Sequence, residues 1–159
     1  MESHKRVCLI GTSLNPDSRS QRLAREAVRL LTEQDVENRL IDLRTEEGRE
    51  GLREAVLYAT HLVFAVPIYN FNVNAVAKEV LENLPGSAFE GKVVGLICSA
   101  GGQRGYMSAL SFANSLMMDF RCWIVPRFVY ATKADFDEDR LRDEIATRVQ
   151  LFVEDLLSK

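Results

Sequence analysis

Three short apolar runs set the tightest limit on what this chain can fold into. Residues 6–10 (Arg-Val-Cys-Leu-Ile), 61–66 (His-Leu-Val-Phe-Ala-Val) and 92–99 (Lys-Val-Val-Gly-Leu-Ile-Cys-Ser) are apolar at successive positions rather than at every second one. Such a run is too short for a buried helix, and unbroken apolarity means burial on both faces. Strands buried on both faces belong to a parallel sheet, and parallel neighbours need crossovers, which are usually helices. The intervening stretches supply them. Leu23, Ala27, Leu30 and Leu31 recur at helical spacing, and Ser18 and Gln21 stand at capping-box spacing, which predicts a helix from Ser18 to about residue 33. Residues 36–43 read as a second strand, and 46–58 as a helix interrupted by Gly48 and Gly51. Pro67 stops the third strand, 68–74 form a loop, and 75–84 are helical up to Pro85-Gly86. A long helix is predicted over 106–120, a fifth strand within 122–129, and a closing helix over 137–157. The expectation is one α/β domain over residues 1–159, with helices on both faces of a parallel sheet.

Charge and cysteine usage exclude several classes. The formal net charge is -3 and basic residues are scattered among acidic ones, so neither nucleic acid nor an anionic membrane is attracted. Cys8, Cys98 and Cys122 lie far apart with no CxxC spacing, which supports neither a disulfide framework nor a metal site; Cys8 and Cys98 read as small buried hydrophobes. The start, Met1-Glu2-Ser3-His4-Lys5-Arg6, leads directly into the first strand without the apolar region of a signal peptide, so the cytoplasm is the expected compartment. His4 and His61 lack partners at catalytic spacing. The acidic run Asp135-Phe136-Asp137-Glu138-Asp139 lacks the glycine and terminal glutamate of a calcium loop and reads as a solvated helix start.

Function concentrates in three loops at the carboxyl edge of the sheet, where open α/β sheets bind ligands. The first, residues 12–20, carries Thr12, Ser13, Asn15, Ser18 and Ser20 around a helix start, where free N–H groups and the helix dipole favour an anion. It has no P-loop lysine and no GxGxxG, so a phosphate monoester suits it better than a nucleoside triphosphate or a dinucleotide. The same residues also serve as a helix cap and turn. The second loop, Pro67-Ile68-Tyr69-Asn70-Phe71-Asn72, offers two aromatics for a flat ring, or for packing the loop against the fold or a partner. The third, Ser99-Ala100-Gly101-Gly102, allows close approach of the backbone to a ligand, or simply turns the chain.

At these residues the chain resembles the NADPH-dependent FMN reductase family, which includes quinone, azo and chromate reductases of flavodoxin-like fold. Gly11-Thr12-Ser13 through Ser18, Ser20, Leu23 and Ala24 is similar to the family's phosphate loop. Pro67-Ile68-Tyr69-Asn70 is similar to its flavin loop, and Ser99-Ala100-Gly101-Gly102 with Gly105 and Val125-Pro126 to its third segment. The resemblance implies a flavodoxin-like three-layer sandwich with a five-stranded parallel sheet of order 2-1-3-4-5. It implies bound FMN, with Ser13, Asn15, Ser18 and Ser20 at the phosphate. Pro67, Ile68, Tyr69, Asn70 and Phe71 fall at the isoalloxazine, and Ser99, Gly101, Gly102 and Gln103 on its far side. The chain departs from the family pattern at Asn15, where members often carry arginine, at Ser20, where they often carry asparagine, and at Asn74-Ala75, which replaces a Pro-Gly.

The implied activity passes electrons from NADPH or NADH through FMN to a small acceptor: a flavin, quinone, azo compound or metal oxyanion. The flavin carries the chemistry, so no side chain is nominated as catalytic acid or base. Backbone N–H groups in the Pro67 to Phe71 loop, the proline itself having none, suit the N1 edge of the ring. Arg104 reads as a surface charge in preference to a phosphate ligand. The apolar positions Met107, Leu110, Phe112, Ala113, Leu116, Met117, Met118 and Phe120 are wider than one sheet-facing stripe, and members of the family commonly dimerise, so a homodimer is expected. The alternatives are a non-enzymatic FMN carrier or redox sensor, and an α/β interaction module without a ligand.

Overall fold

The computed structural model describes residues 4–138 and 140–159; Met1, Glu2 and Ser3 before the first strand, and Asp139 of the acidic run, lie outside the described residues. Strands β1 (Arg6–Gly11), β2 (Glu37–Asp42), β3 (His61–Tyr69) and β5 (Val93–Ser99) form a parallel sheet. Its fifth position is shared by two short strands, β6 (Trp123–Ile124) and β7 (Val129–Ala131), both parallel to β5. The order across the sheet is β2-β1-β3-β5-β6, with β7 continuing β6's place and a two-residue strand β4 (Asn72–Val73) folded back on β3. This is the expected flavodoxin-like order, with the last strand broken in two. On β5 the paired residues Val94 and Ile97 are three apart, whereas their partners Ile124 and Val129 are five apart. Pro126 sits in that surplus, which ends one ladder before the next begins.

Helices α1 (Arg19–Glu33) and α5 (Asp143–Leu157) cover one face. Helices α2 (Glu46–Tyr58), α3 (Ala75–Asn83) and α4 (Leu110–Met118) cover the other. Strand alternation divides the core between them: Leu62, Phe64 and Val66 pack into the second layer, Val63 and Ala65 into the first. Gly95 leaves room for the Phe152 ring of α5, which a Cβ there would meet at 2.4 Å. Among the described residues no helix is long and apolar enough to cross a membrane.

Four expectations about elements need correction. Strand β3 does not stop at Pro67 but runs to Tyr69. Successive strand residues point their backbone groups to alternate neighbours, so Pro67 faces the same side as Ala65. On that side β1 has already ended at Gly11, opposite Ala65, so no neighbouring carbonyl needs the missing N–H. Helix α2 is continuous through Gly48 and Gly51. Gly48 is required by contact, since a Cβ there would lie 2.0 Å from the Asp42 carbonyl oxygen.

The helix expected over 106–120 begins only at Leu110. Residues 103–110 instead make successive three-residue turns, in which Tyr106, Ser108 and Leu110 N–H groups donate to Gln103, Gly105 and Met107 carbonyls. The closing helix starts at Asp143 rather than at residue 137. Before it lies a hairpin of β8 (Phe136–Asp137) and β9 (Arg140–Leu141), so Phe136 and Asp137 of the acidic run form a strand and not a helix start. Glu138 turns that hairpin at φ +51°, a conformation that the sequence does not announce without a glycine.

His61 opens β3 at the edge opposite the loops. It is buried, its Nδ1 lies 2.8 Å from Thr60 Oγ1, and its Nε2 has no partner among the described residues. Burial, with a smaller contribution from Lys5, pushes its pKa down from 6.5 to about 4. The unfolded chain therefore takes up a proton near pH 6.5 that the folded chain refuses. Stability present above pH 6.5 is lost as pH falls towards 4, by on the order of 2 kcal/mol. Urea unfolding of the protein at pH 7.5 and 4.5 is expected to show that loss, and His61→Leu to shrink it; an equal loss in the variant refutes the assignment.

Candidate functional site

A cavity of about 840 Å³ opens at the carboxyl edge of the sheet, a volume ordinary for a cofactor site. Its walls come from the ends of β1, β3 and β5 and from the segment after β7.

The first wall is the loop that enters α1. Thr12 N–H donates to the Ala65 carbonyl at 3.1 Å, carrying the β1–β3 pairing one residue past the strand. Its hydroxyl donates to Asn74 Oδ1 at 2.8 Å, and Asn74 Nδ2 returns a bond to the Thr12 carbonyl at 2.8 Å, all of it buried. Asn74 thus spends its side chain on Thr12 instead of capping α3. Asn15 holds the loop's own turn, accepting from Asp17 N–H at 3.0 Å while its N–H donates to Ser13 Oγ at 3.3 Å. From outside, the Arg44 guanidinium donates to the Asn15 and Pro16 carbonyls at 3.2 and 3.0 Å. Arg44 also grips Asp42 and holds that carboxyl below its usual range.

Ser18 caps α1, its hydroxyl accepting the Gln21 N–H at 3.2 Å. The return half of the expected capping box is absent. The Gln21 amide lies against Gly11, where a Cβ would sit 2.1 Å from it, and reaches Asp42 at 3.4 Å. Gly11 is glycine to admit that buried amide.

The second wall is the hairpin of β3 and β4. Its two-residue turn, Asn70-Phe71, has φ +51° and +58°, the left-handed pair that matches strand twist in a tight hairpin. Asparagine accepts that conformation readily, whereas phenylalanine is strained in it and here is two-thirds exposed. Ser111 of α4 donates to Asn72 Oδ1 at 3.3 Å, so the hairpin is tied to the helix beside it.

The third wall is the loop after β5. Tyr130 Oη donates to the Gly102 carbonyl at 2.8 Å, and the Tyr106 ring meets Tyr130 edge-on at 5.5 Å. Gly105 lets Tyr130 in, since a Cβ would lie 2.8 Å from its oxygen. These contacts go with the absence of residues 106–109 from the helix expected over 106–120. Gly102 is extended at φ −160°, and a Cβ at Gly101 or Gly102 meets nothing within 4 Å. Neither backbone geometry nor internal packing asks for glycine at Gly101 or Gly102, and Gly101 borders the cavity.

Of the residues nominated from sequence, Ser13, Asn15, Ser18, Pro67, Ile68, Tyr69, Ser99 and Gly101 line this cavity together. Ser20 lies buried behind the helix start, 2.9 Å from Ser18 Oγ. Asn70 and Phe71 form the hairpin tip and do not line the cavity, nor does Gly102. Gln103 borders a separate hollow with Tyr106 and Arg148. Arg104 is exposed and lies off the wall.

The sequence reading missed Asp17, Arg19, Arg22, Ala100, Lys133, Phe136 and Glu138. Arg22 pairs with Asp17 and donates to the Glu138 carbonyl at 2.9 Å, closing the far hairpin onto α1. That contact spans more than a hundred residues and leaves no local signal.

A hydroxyl- and amide-rich helix start at one end, with apolar and aromatic residues beside a glycine loop at the other, fits a molecule with an anionic terminus and a flat ring. FMN has that form. A family model described as NADPH-dependent FMN reductase matches residues 5–137. No curated protein matches in sequence.

Among solved structures, the fold is similar to the apo form of an NADH:FMN oxidoreductase, EMOB. The TM-score is 0.83 at 18% identity, over 97% of this chain and 89% of that one. It is also similar to an oxidoreductase from Corynebacterium diphtheriae (TM-score 0.78, 18% identity, 98% and 97% covered). A third is FerB, an NAD(P)H:(acceptor) oxidoreductase from Paracoccus denitrificans (0.72, 17%, 97% and 98%).

The Thr12–Asn74 pair makes a direct prediction. Asn74→Ala takes the Asn74 amide from the buried Thr12 carbonyl and leaves the hydroxyl its longer contact to the Ala65 carbonyl at 3.3 Å, at a cost of about 1–3 kcal/mol. Chemical denaturation is expected to show that loss, and Thr12→Val added to Asn74→Ala to cost much less than the sum of the two single changes. Additive losses contradict the interlock.

Proposed function

The chain belongs to the NADPH-dependent FMN reductase family, and from that premise we propose that this cavity is where it holds FMN. The activity is FMN-dependent oxidation of NAD(P)H. The observation that carries the placement is the convergence, in one cavity, of the α1 start with Pro67–Tyr69 and Ser99–Gly101. Bound there, FMN supplies a two-electron relay between a nicotinamide and an acceptor.

The chain's own residues bind and orient. N–H groups of the first α1 turn, with Ser13 and Asn15, receive the phosphate. Ile68 and Tyr69 flank the ring, and Gly101 permits the backbone to approach its other side. Rigidity comes from behind: Arg44 and Asn74 fix the first loop, and Tyr130 fixes the third. Of the second loop, the backbone at Ile68 and Tyr69 borders the cavity, and we assign the N1 edge of the ring to that stretch. The acceptor is a small molecule of the flavin, quinone, azo or metal-oxyanion kind, and the cytoplasm is the proposed compartment.

We also propose that residues 1–159 form one domain and that two copies associate. Phe112, Ala113 and Leu116 of α4 are buried, but Met107, Leu110, Met117 and Met118 are exposed, as are Tyr69, Phe71 and Tyr106 nearby. The second apolar face foreseen from sequence is therefore unburied within one chain, and a partner copy covers it in this reading. A sedimentation mass of two chains at micromolar concentration is expected, shifting to one chain with Met117→Lys and Met118→Lys together. A monomer for the unsubstituted protein rules out the association.

The test of the main reading is spectroscopic. Added FMN is expected to bind and to bleach when NADPH or NADH is supplied without oxygen. Tyr69→Ala is expected to weaken FMN binding more than Phe71→Ala, because only Tyr69 lines the cavity. Flavin bands that persist with either nicotinamide point to a carrier or sensor instead, and failure to bind FMN removes the cavity assignment.

A further inference from the structure

Up to the cap of α1 the first loop brings hydroxyls and amides to the anionic end but no cation, since residues 12–18 contain neither lysine nor arginine. A phosphate monoester near neutral pH carries close to two negative charges. Arg22 lines the cavity too, but its charge is answered by Asp17. Two other cations on the wall, Arg19 and Lys133, have no ion-pair partner among the described residues.

Arg19 stands where helix electrostatics disfavour it. It is the first residue of α1, and that helix has no acidic residue in its first turn, whereas α2 opens on Glu46 and Glu47 and α5 on Asp143 and Glu144. A cation at the positive end of a helix is unfavourable unless an anion sits between. Lys133 comes from a different element, the turn between β7 and β8. That turn is fixed: Thr132 N–H and hydroxyl both donate to Asp135 Oδ2, at 2.6 and 3.1 Å. The hairpin behind it packs Phe136 and Leu141 on the α1/α5 core, and Arg22 of α1 holds its Glu138 carbonyl. The Glu138 carboxylate lies on the same wall and opposes an anion.

We infer that Lys133, together with Arg19, forms a cationic clamp on the 5′-phosphate of the bound flavin. The segment after the last strand then makes this cavity select FMN over riboflavin, a conclusion that rests on the cavity assignment above. Lys133 is a binding residue in this role and takes no part in electron transfer.

The test titrates the full chain, freed of flavin, with FMN and with riboflavin, following flavin fluorescence. Lys133→Gln is expected to weaken FMN by about tenfold or more, the loss of one charge-assisted contact, and to leave riboflavin unchanged. Glu138→Gln is expected to tighten FMN alone. Arg19→Glu is expected to weaken FMN while raising the thermal midpoint of the flavin-free chain, which a merely structural arginine does not do. An unchanged ratio of FMN to riboflavin affinity in Lys133→Gln overturns the clamp. Equal weakening of both flavins also overturns it, by marking Lys133 as a structural residue. If the unsubstituted chain binds neither flavin, the cavity assignment falls and the clamp falls with it; if it binds both equally, only the clamp falls.

Discussion

The buried exchange between Thr12 and Asn74 is the constraint on which the cavity depends. Two hydrogen bonds of 2.8 Å join the residue after β1 to the residue before α3. The loops that follow β1 and β3 therefore move as one body, even though 62 residues separate the partners. Thr12 also extends the sheet by its bond to Ala65. Sheet, helix start and hairpin meet at one threonine, in surroundings where an unmade hydrogen bond is costly because no water can replace it. A ligand bridging the two loops meets walls whose spacing is already set, so little ordering entropy is lost on binding.

Around that fixed point the site departs from what stability alone favours. Arg19 opposes the α1 dipole, Phe71 holds a left-handed backbone, and Gly101 and Gly102 fill no space. Each is locally unfavourable, and all of them lie at the carboxyl edge. At the opposite edge the anomaly is of another kind: His61 is simply a buried imidazole that is held neutral. Local rules broken together at one edge, and kept by the α2 and α5 starts, mark where binding rather than folding set the residues.

Strands β1, β3 and β5 were legible because burial on both faces writes itself as continuous apolarity, and α1 because Ser18 and the leucine spacing agree. What the sequence concealed were contacts between distant segments. Tyr130 holds the Gly102 carbonyl and packs against Gly105, where the chain makes three-residue turns in place of the first turn of a helix that residues 106–109 otherwise fit. Pro67 stays within β3 because β1 ends early, a fact about a neighbouring strand. Likewise Ser13, Ser18, Tyr69 and Gly101 were found from local chemistry. Lys133 was not, because only the closing hairpin, turned by a glutamate at positive φ, brings it to the α1 start.

The groups of this chain able to do redox chemistry of their own have been withdrawn from the site. Cys8, Cys98 and Cys122 are buried, and burial raises their thiols to about 12, 12 and 11, so the reactive thiolate is scarcely populated near neutral pH. None of the three lines the cavity, and neither does a histidine among the described residues. What remains on the walls are hydroxyls, backbone amides, fixed charges and aromatic or apolar surface. Such walls cannot accept electrons, but they can bind a molecule that does. They also tune it, because donors held rigidly beside a ring favour whichever charge state matches them, at no cost of reorganisation when electrons arrive. The division of labour between chain and cofactor thus follows from where the cysteines are buried as much as from what the loops present.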